Sequence, residues 1–281
     1  DGARPRAIDA SFSAPKVDLG SLATVPPLPV RGSAPAGLPD DVDVRLDVSA
    51  DAVVADGKVM QGVVLKAALQ GGAVDLQRFE AQLPGAGSFA VTGALAGRDR
   101  LAFDGTVDLR TANLRDILSW LQVDTATIPS GRLANARLKG KLFADGDRLR
   151  LSDLDLHVDA TRAHGTMEVD YRERPGVRVD LAADNLDLDA YSSAAPVAPA
   201  AAVVPATTAA PGLLSAVAGD GKFSFGRLTY RGIDLRGVDL AATLADGAFT
   251  VAHFSGSPSD PGEFQLPAAD GGGPEESAMA P

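Results

Sequence analysis

The sequence predicts a mainly β protein: an elongated, repetitive antiparallel sheet curled into a groove, with one or a few short helices. Three observations carry this expectation. The stretch 53–79 is echoed 175 positions later (237 − 62 = 175), where Gly57, Gly62, Val63, Leu65, Leu69, Gly72, Ala73 and Phe79 return as Gly232, Gly237, Val238, Leu240, Leu244, Gly247, Ala248 and Phe254. A weaker third copy stands between them, at Leu138, Leu142, Gly146, Leu151 and Leu154. A unit that cannot bury its apolar face alone stacks on copies of itself, so function is to be sought on a continuous surface.

The second observation is one-sided alternation. Val42, Val44, Leu46 and Val48 alternate with Asp41, Asp43, Arg45 and Asp47, which places the aliphatic side chains on one face of a pleated strand. Leu149, Leu151, Leu154, Leu156 and Val158 repeat the pattern, as do Val177, Val179 and Leu181 against Arg178 and Asp180. A parallel sheet covered on both faces would show continuous aliphatic runs instead. The third observation is the turn chemistry between the runs: Ala55-Asp56-Gly57, Gly71-Gly72, Asp145-Gly146-Asp147 and Ala245-Asp246-Gly247. Gly and Asp supply the left-handed residues of tight hairpins, so successive strands are expected to be antiparallel neighbours.

Residues 1–25 read as the end of a preceding repeat and 26–40 as a Pro-rich linker. Residues 41–193 form the main β-repeat segment. Within it, Leu114, Ile117, Leu118 and Leu121 fall at helical spacing behind Asn113, a candidate N-cap, which predicts a short helix near 113–121 docked on the sheet. Comparable short apolar segments lie at 17–22 and 186–191. Residues 194–218 form an Ala/Pro-rich linker, in which Pro196, Pro199, Pro205 and Pro211 break any membrane-spanning run. A further β repeat follows at 219–257. The tail 258–281 shows no strand pattern and reads as disordered.

Composition narrows the chemistry. The net charge of −11, with basic residues dispersed singly, argues against a nucleic-acid partner. With no cysteine there is no disulfide, thiolate metal site or thiol nucleophile. His157, His164 and His253 lack metal-ligand spacing and read as solvent-facing. The aspartates fit turns and solvated faces rather than a calcium loop, and no Gly-x-Ser-x-Gly elbow or phosphate loop is present. No catalytic residue, metal or cofactor is expected. The first residues lack a basic start and an apolar stretch, so the chain reads as an internal piece of something longer. Aromatic residues make up 5% of a chain that is 45% hydrophobic. The oily face is therefore smooth and aliphatic, and it must curl on itself, pack on another sheet or receive an apolar ligand.

The closing elements Lys16-Val17-Asp18-Leu19 and Asn185-Leu186-Asp187-Leu188-Asp189-Ala190-Tyr191 resemble those of the AsmA-like family of bacterial envelope proteins. So does the block Gly237-Val238-Asp239-Leu240, Leu244-Ala245-Asp246-Gly247-Ala248-Phe249 and Phe254-Ser255-Gly256, and the likeness extends over most of 8–256. It implies a sheet folded lengthwise into a trough, held to the inner membrane by an N-terminal helix and extending through the periplasm. It also implies a role in outer-membrane biogenesis, with phospholipid or another acyl-chain molecule as ligand and flanking segments reaching the envelope membranes. The lining would be Val42, Val44, Leu46, Val48, Val63, Leu65, Leu69, Leu138, Leu142, Leu149, Leu151, Leu154, Leu156, Val177, Val179, Leu181, Val238, Leu240 and Leu244. The competing expectation is a structural or adhesive β-solenoid that fills its own interior.

Overall fold

The computed structural model describes residues 6–19, 38–55, 57–97, 100–172, 176–192, 218–245 and 248–259. Among these residues thirteen strands lie side by side in chain order in one sheet. They are β1 (Arg6–Asp18), β2 (Val42–Ala55), β3 (Lys58–Gln70), β4 (Ala73–Leu83), β5 (Gly87–Ala96), β6 (Ala102–Thr111), β7 (Ala136–Ala144), β8 (Arg148–Val158), β9 (Thr161–Asp170), β10 (Gly176–Asp187), β11 (Ala218–Tyr230), β12 (Ile233–Ala245) and β13 (Ala248–Pro258). An α-helix, α1 (Leu114–Trp120), stands between β6 and β7, and a 3-10 turn, Asp189–Tyr191, follows β10. Close contact between elements runs from each strand to the next. The topology is that of a β-solenoid-type array, one long sheet in which each unit touches its chain neighbours.

The antiparallel expectation holds for the meanders and fails at two joints. β1 pairs with β2, and β10 with β11, in parallel. Both joints span a Pro-rich stretch. A parallel pair needs a long crossover where an antiparallel pair needs only a hairpin, so the linkers fix strand direction. The linker interiors, 20–37 and 193–217, lie outside the described residues, as does the tail 260–281. β1 shows that the segment read as the end of a preceding repeat belongs to the same sheet, and Val17 lies within it.

The repeat is a repeat of geometry. β11, β12 and β13 start and end at, or within one residue of, the bounds of β2, β3 and β4 shifted by 175. The register breaks coincide too. They fall between Gln61 and Val64 and between Lys66 and Ala67 in one copy, and between Arg236 and Asp239 and between Ala241 and Ala242 in the other. Gly62 and Gly237 sit beside the first of these breaks at φ +56° and +57°, left-handed values that glycine adopts without the steric cost of a Cβ. Around Gly62 the alternation changes phase, so Val53 joins Ala50, Val63 and Ala81 in one buried cluster, with Val17, Met60 and Phe79 half-buried against it.

A second bulge recurs in all three copies. Leu76 and Phe79, Leu151 and Leu154, and Val251 and Phe254 are spaced by three, which would turn the second residue of each pair to the opposite face of a regular strand. Each interval carries a register shift. The extra residue restores the apolar face and bends the strand.

Candidate functional site

Residues directly opposite in paired strands share a face, and successive registers join into rows that cross the sheet. The first row runs Ile8, Val44, Leu69, Val74, Leu95, Phe103, Ala144, Leu149, Val169, Val177, Gly219, Leu244. The second runs Ala10, Leu46, Ala67, Leu76, Gly93, Gly105, Leu142, Leu151, Met167, Val179, Gly221, Ala242, Val251. The third includes Phe12, Val48, Leu65, Phe79, Val91, Val107, Leu154, Leu181, Phe223, Leu240 and Phe254. The fourth includes Ala50, Val63, Phe89, Leu109, Leu138, Leu156, Ala163, Ala183, Phe225 and Val238. With Val42 one pleat below Val44, all the lining residues expected from the sequence fall on this one face.

The face has two halves. The first two rows lie toward the β3–β4, β5–β6, β7–β8 and β9–β10 turns, and in them only Ala242 is buried. The third and fourth rows lie toward α1 and hold Val91, Val107 and Leu154, then Ala50, Val63, Ala163 and Val238, all buried. Of the expected lining, Val63, Leu154 (2% exposed) and Val238 (0%) are therefore core residues, and the others are half-exposed.

Helix α1 covers the upper edge. Ile117 is buried, and a Cβ at Gly87 would stand 3.1 Å from its Cδ1, so the helix rests on the apolar face over a position with no side chain. Asn113 occupies the expected N-cap with extended backbone, yet its side chain makes no capping bond. The first-turn N–H groups of Leu114 and Arg115 donate instead to the carbonyls of Ala134 and Leu133, which satisfies the helix start from within the 112–135 insert. Arg115 donates to the carbonyls of Thr125, Ile128 and Pro129 and to Thr125 Oγ1, drawing the insert round one guanidinium.

The insert is latched to the sheet by Asp159. Its carboxylate accepts from the backbone N–H groups of Leu133, Ala134 and Asn135 and from the Tyr191 hydroxyl at 2.9 Å. Burial works against the charge, yet these donors hold the Asp159 carboxyl below its usual value. Burial and the bond to Asp159 push the Tyr191 hydroxyl up to about 12. Arg132 lies over the Tyr191 ring, 5.7 Å from its centre. Leu133, buried, takes φ +57° in the middle of this network.

The opposite face is charged. Lys66 Nζ meets Asp47 at 2.7 Å, Lys141 meets Asp153 at 2.7 Å, and Asp108 takes both Arg110 and Lys139 at 3.0 Å. The Arg110 bond, with help from Lys139 and against partial burial, lowers the Asp108 carboxyl. His157 sits 3.1 Å from Asp155, and His164 and His253 are exposed. No cluster of three or more metal-ligating side chains occurs among the described residues, and none of their helices is long and apolar enough to cross a membrane.

Sequence reasoning missed part of the apolar face: Val74, Leu76, Phe79, Phe89, Val91, Leu95, Phe103, Val107, Leu109, Met167, Val169, Phe223 and Phe225. Two signals could have found them. Leu76 and Phe79 match Leu151 and Leu154 across the repeat, and Phe89, Val91 and Leu95 alternate once the intervening Ala, Thr and Gly count as neutral. Glycines in the second row make room for rings: Cβ atoms at Gly93 and Gly105 would stand 2.8 Å from the Phe103 ring. Against known protein families, curated proteins and solved structures, the chain finds no match.

Proposed function

We propose that this chain is a non-enzymatic, lipid-binding segment of an envelope protein of AsmA-like type, with the sheet curled about acyl chains held on its apolar face. One observation carries the reading: an apolar face continuous across thirteen strands whose lower rows stay half-exposed. Soluble proteins seldom leave so extensive an apolar surface without a partner. Burying a chain of about 16 carbons recovers on the order of 10 kcal/mol at ~0.8 kcal/mol per methylene, and the contacts are non-directional, so sliding along the rows costs little. The recurring bulges in β4, β8 and β13 supply the bending that a groove needs.

On this reading the natural protein is anchored in the inner membrane, stands in the periplasm and serves outer-membrane biogenesis by conducting phospholipid. The experiment is photocrosslinking in cells from Leu142 and Leu151, with Arg45 and Lys66 on the charged face as controls. Lipid adducts confined to the apolar positions are expected. Their absence at several lower-row positions would refute transport.

A second reading, a structural solenoid that fills its own interior, is favoured by the buried cluster of Ala50, Val53, Val63 and Ala81. It predicts a lipid-free protein whose lower rows close on each other in solution.

A further inference from the structure

A hairpin and the chirality of the residues give the sheet its hand. Ala144 and Leu149 stand opposite each other in the first apolar row, so Asp145 and Arg148, one step on, belong to the charged face. The Asp145 N–H donates to the Arg148 carbonyl at 2.9 Å. Charged-face residues of β7 therefore aim their peptide groups at β8, and apolar-face residues aim theirs at β6. The Gly71-Gly72 turn gives β3 the same sense, since a two-residue hairpin with φ +57° and +76° is closed by a hydrogen-bonded pair, here Gln70 and Ala73. For an L-residue whose side chain faces the viewer in a strand running upward, the Cα–H leans left and the N–H and C=O point right. Seen from the apolar face with β10 upward, β11 thus stands to the right of β10, and β2 to the right of β1.

A connection between parallel neighbours in one sheet is right-handed almost without exception. When it moves rightward, a right-handed crossover passes in front of the sheet, which here is the apolar side. Residues 193–217 connect Ser192, beyond the upper end of β10, to Ala218 at the lower end of β11, so the chain descends the whole length of the strands between them. Composition agrees with that route. In a chain that is 22% charged, 193–217 contains no Asp, Glu, Lys, Arg or His, and 20–37 contains only Arg31. On the opposite face such a segment would strip water from the exposed Arg178, Asp180, Asp220 and Lys222 and offer them no partner.

We propose that the lower rows at the β10–β11 joint, around Val177 and Val179, are the docking surface of this chain's own crossover 193–217, with the crossover 20–37 seated in the same way around Val44 and Leu46. The rows of β3–β9 lie between the two and are what remains for an acyl chain on the reading above. The docking follows from strand order, chirality and charge, and it holds with or without lipid.

The chain has no cysteine, so introduced pairs report one contact each. In the full chain stripped of lipid, A195C, A201C or A209C is combined with V179C or with D180C, its neighbour on the charged face, under mild oxidation. A disulfide needs the two Cα atoms within about 7 Å. With V179C an intramolecular disulfide is expected from at least one of the three positions, at a yield at least about tenfold above any with D180C, although Asp180 is the more exposed site. Circular dichroism and maleimide labelling of the single variants establish that the sheet is intact and each thiol reactive. A34C should likewise bridge to L46C and not to R45C. Bridging chiefly to D180C would send the crossover over the charged face, and no bridge to V179C from any of the three positions would remove this occupant from the lower rows; either result overturns the proposal. Absence of lipid adducts in the photocrosslinking experiment would leave the disulfide result untouched.

Discussion

The upper and lower halves of the apolar face are built from the same alternating strands, yet the buried side chains gather in the upper rows, among half-exposed neighbours such as Val48, Leu65 and Leu156, while the lower rows bury only Ala242. In the upper rows the phase change at Gly62 and the bulges before Phe79 and Leu154 gather side chains inward, and α1 closes the rim over Gly87. In the lower rows Val44, Leu46, Leu69, Leu142, Leu149, Leu151, Val177 and Val179 all stay half-exposed. The contrast teaches that alternation alone makes an oily face, whereas burial needs a second layer. The buried side chains of the upper half give the sheet its core, and on the proposed reading the lower half is the part that takes a ligand.

Substitutions that separate the halves should show this directly. The largest effect is expected at Leu154, whose removal leaves a cavity in the tightest part of the face: Leu154→Ala should cost about 3 kcal/mol in urea unfolding. Leu151→Ala, three residues away and half-exposed, should cost less than half as much. Equal costs would erase the distinction between the halves.

The next effect concerns the ligand. Leu142→Glu in the lower half should strongly reduce co-purified lipid while moving the melting temperature little, because the charge has water within reach. Arg45→Glu on the charged face should leave lipid content unchanged. Mass spectrometry of extracted lipid checks both.

The latch comes third. The Asp159 carboxyl is lowered in the fold, so its contribution is present above the unfolded value near 3.8 and is lost as pH falls through the lower folded value. Limited proteolysis within 112–135 should therefore quicken in acid. In Asp159→Asn it should be roughly tenfold faster already at neutral pH, because the charge-assisted bonds are gone. Cleavage that ignores both changes would show that the insert is held by packing alone.

The smallest effect is expected on the charged face. Lys66→Ala breaks an exposed ion pair and should shift the melting temperature by no more than about 2 °C.

Much of this plan was legible in the residues. The 175-residue echo of 53–79 pointed to the same strand unit at β3–β4 and β12–β13, and the alternation of 42–48 and 177–181 named a single face. The helix was visible from Leu114, Ile117 and Leu118. Strand direction at the linkers was not visible, because parallel and antiparallel edge strands share the same alternation and only the crossover distinguishes them. The capping role of Asn113 was overridden by tertiary structure, since the carbonyls of Leu133 and Ala134 lie 18 and 20 residues along the chain from the N–H groups of Arg115 and Leu114 and leave no local sign. Nor could the sequence divide the face into covered and uncovered halves. Leu151 and Leu154 look alike as letters, and what separates them is the bulge between them and the room at Gly140, where a Cβ would stand 3.7 Å from the Leu154 Cδ1.

The most direct measurement is the distribution of lipid contact along one strand. With a photoreactive residue placed in turn at Leu149, Leu151, Leu154 and Leu156 of β8, lipid adducts should form at the half-exposed Leu149, Leu151 and Leu156 and fall sharply at the buried Leu154. Adducts at none of the four, or strongest at Leu154, would contradict the account.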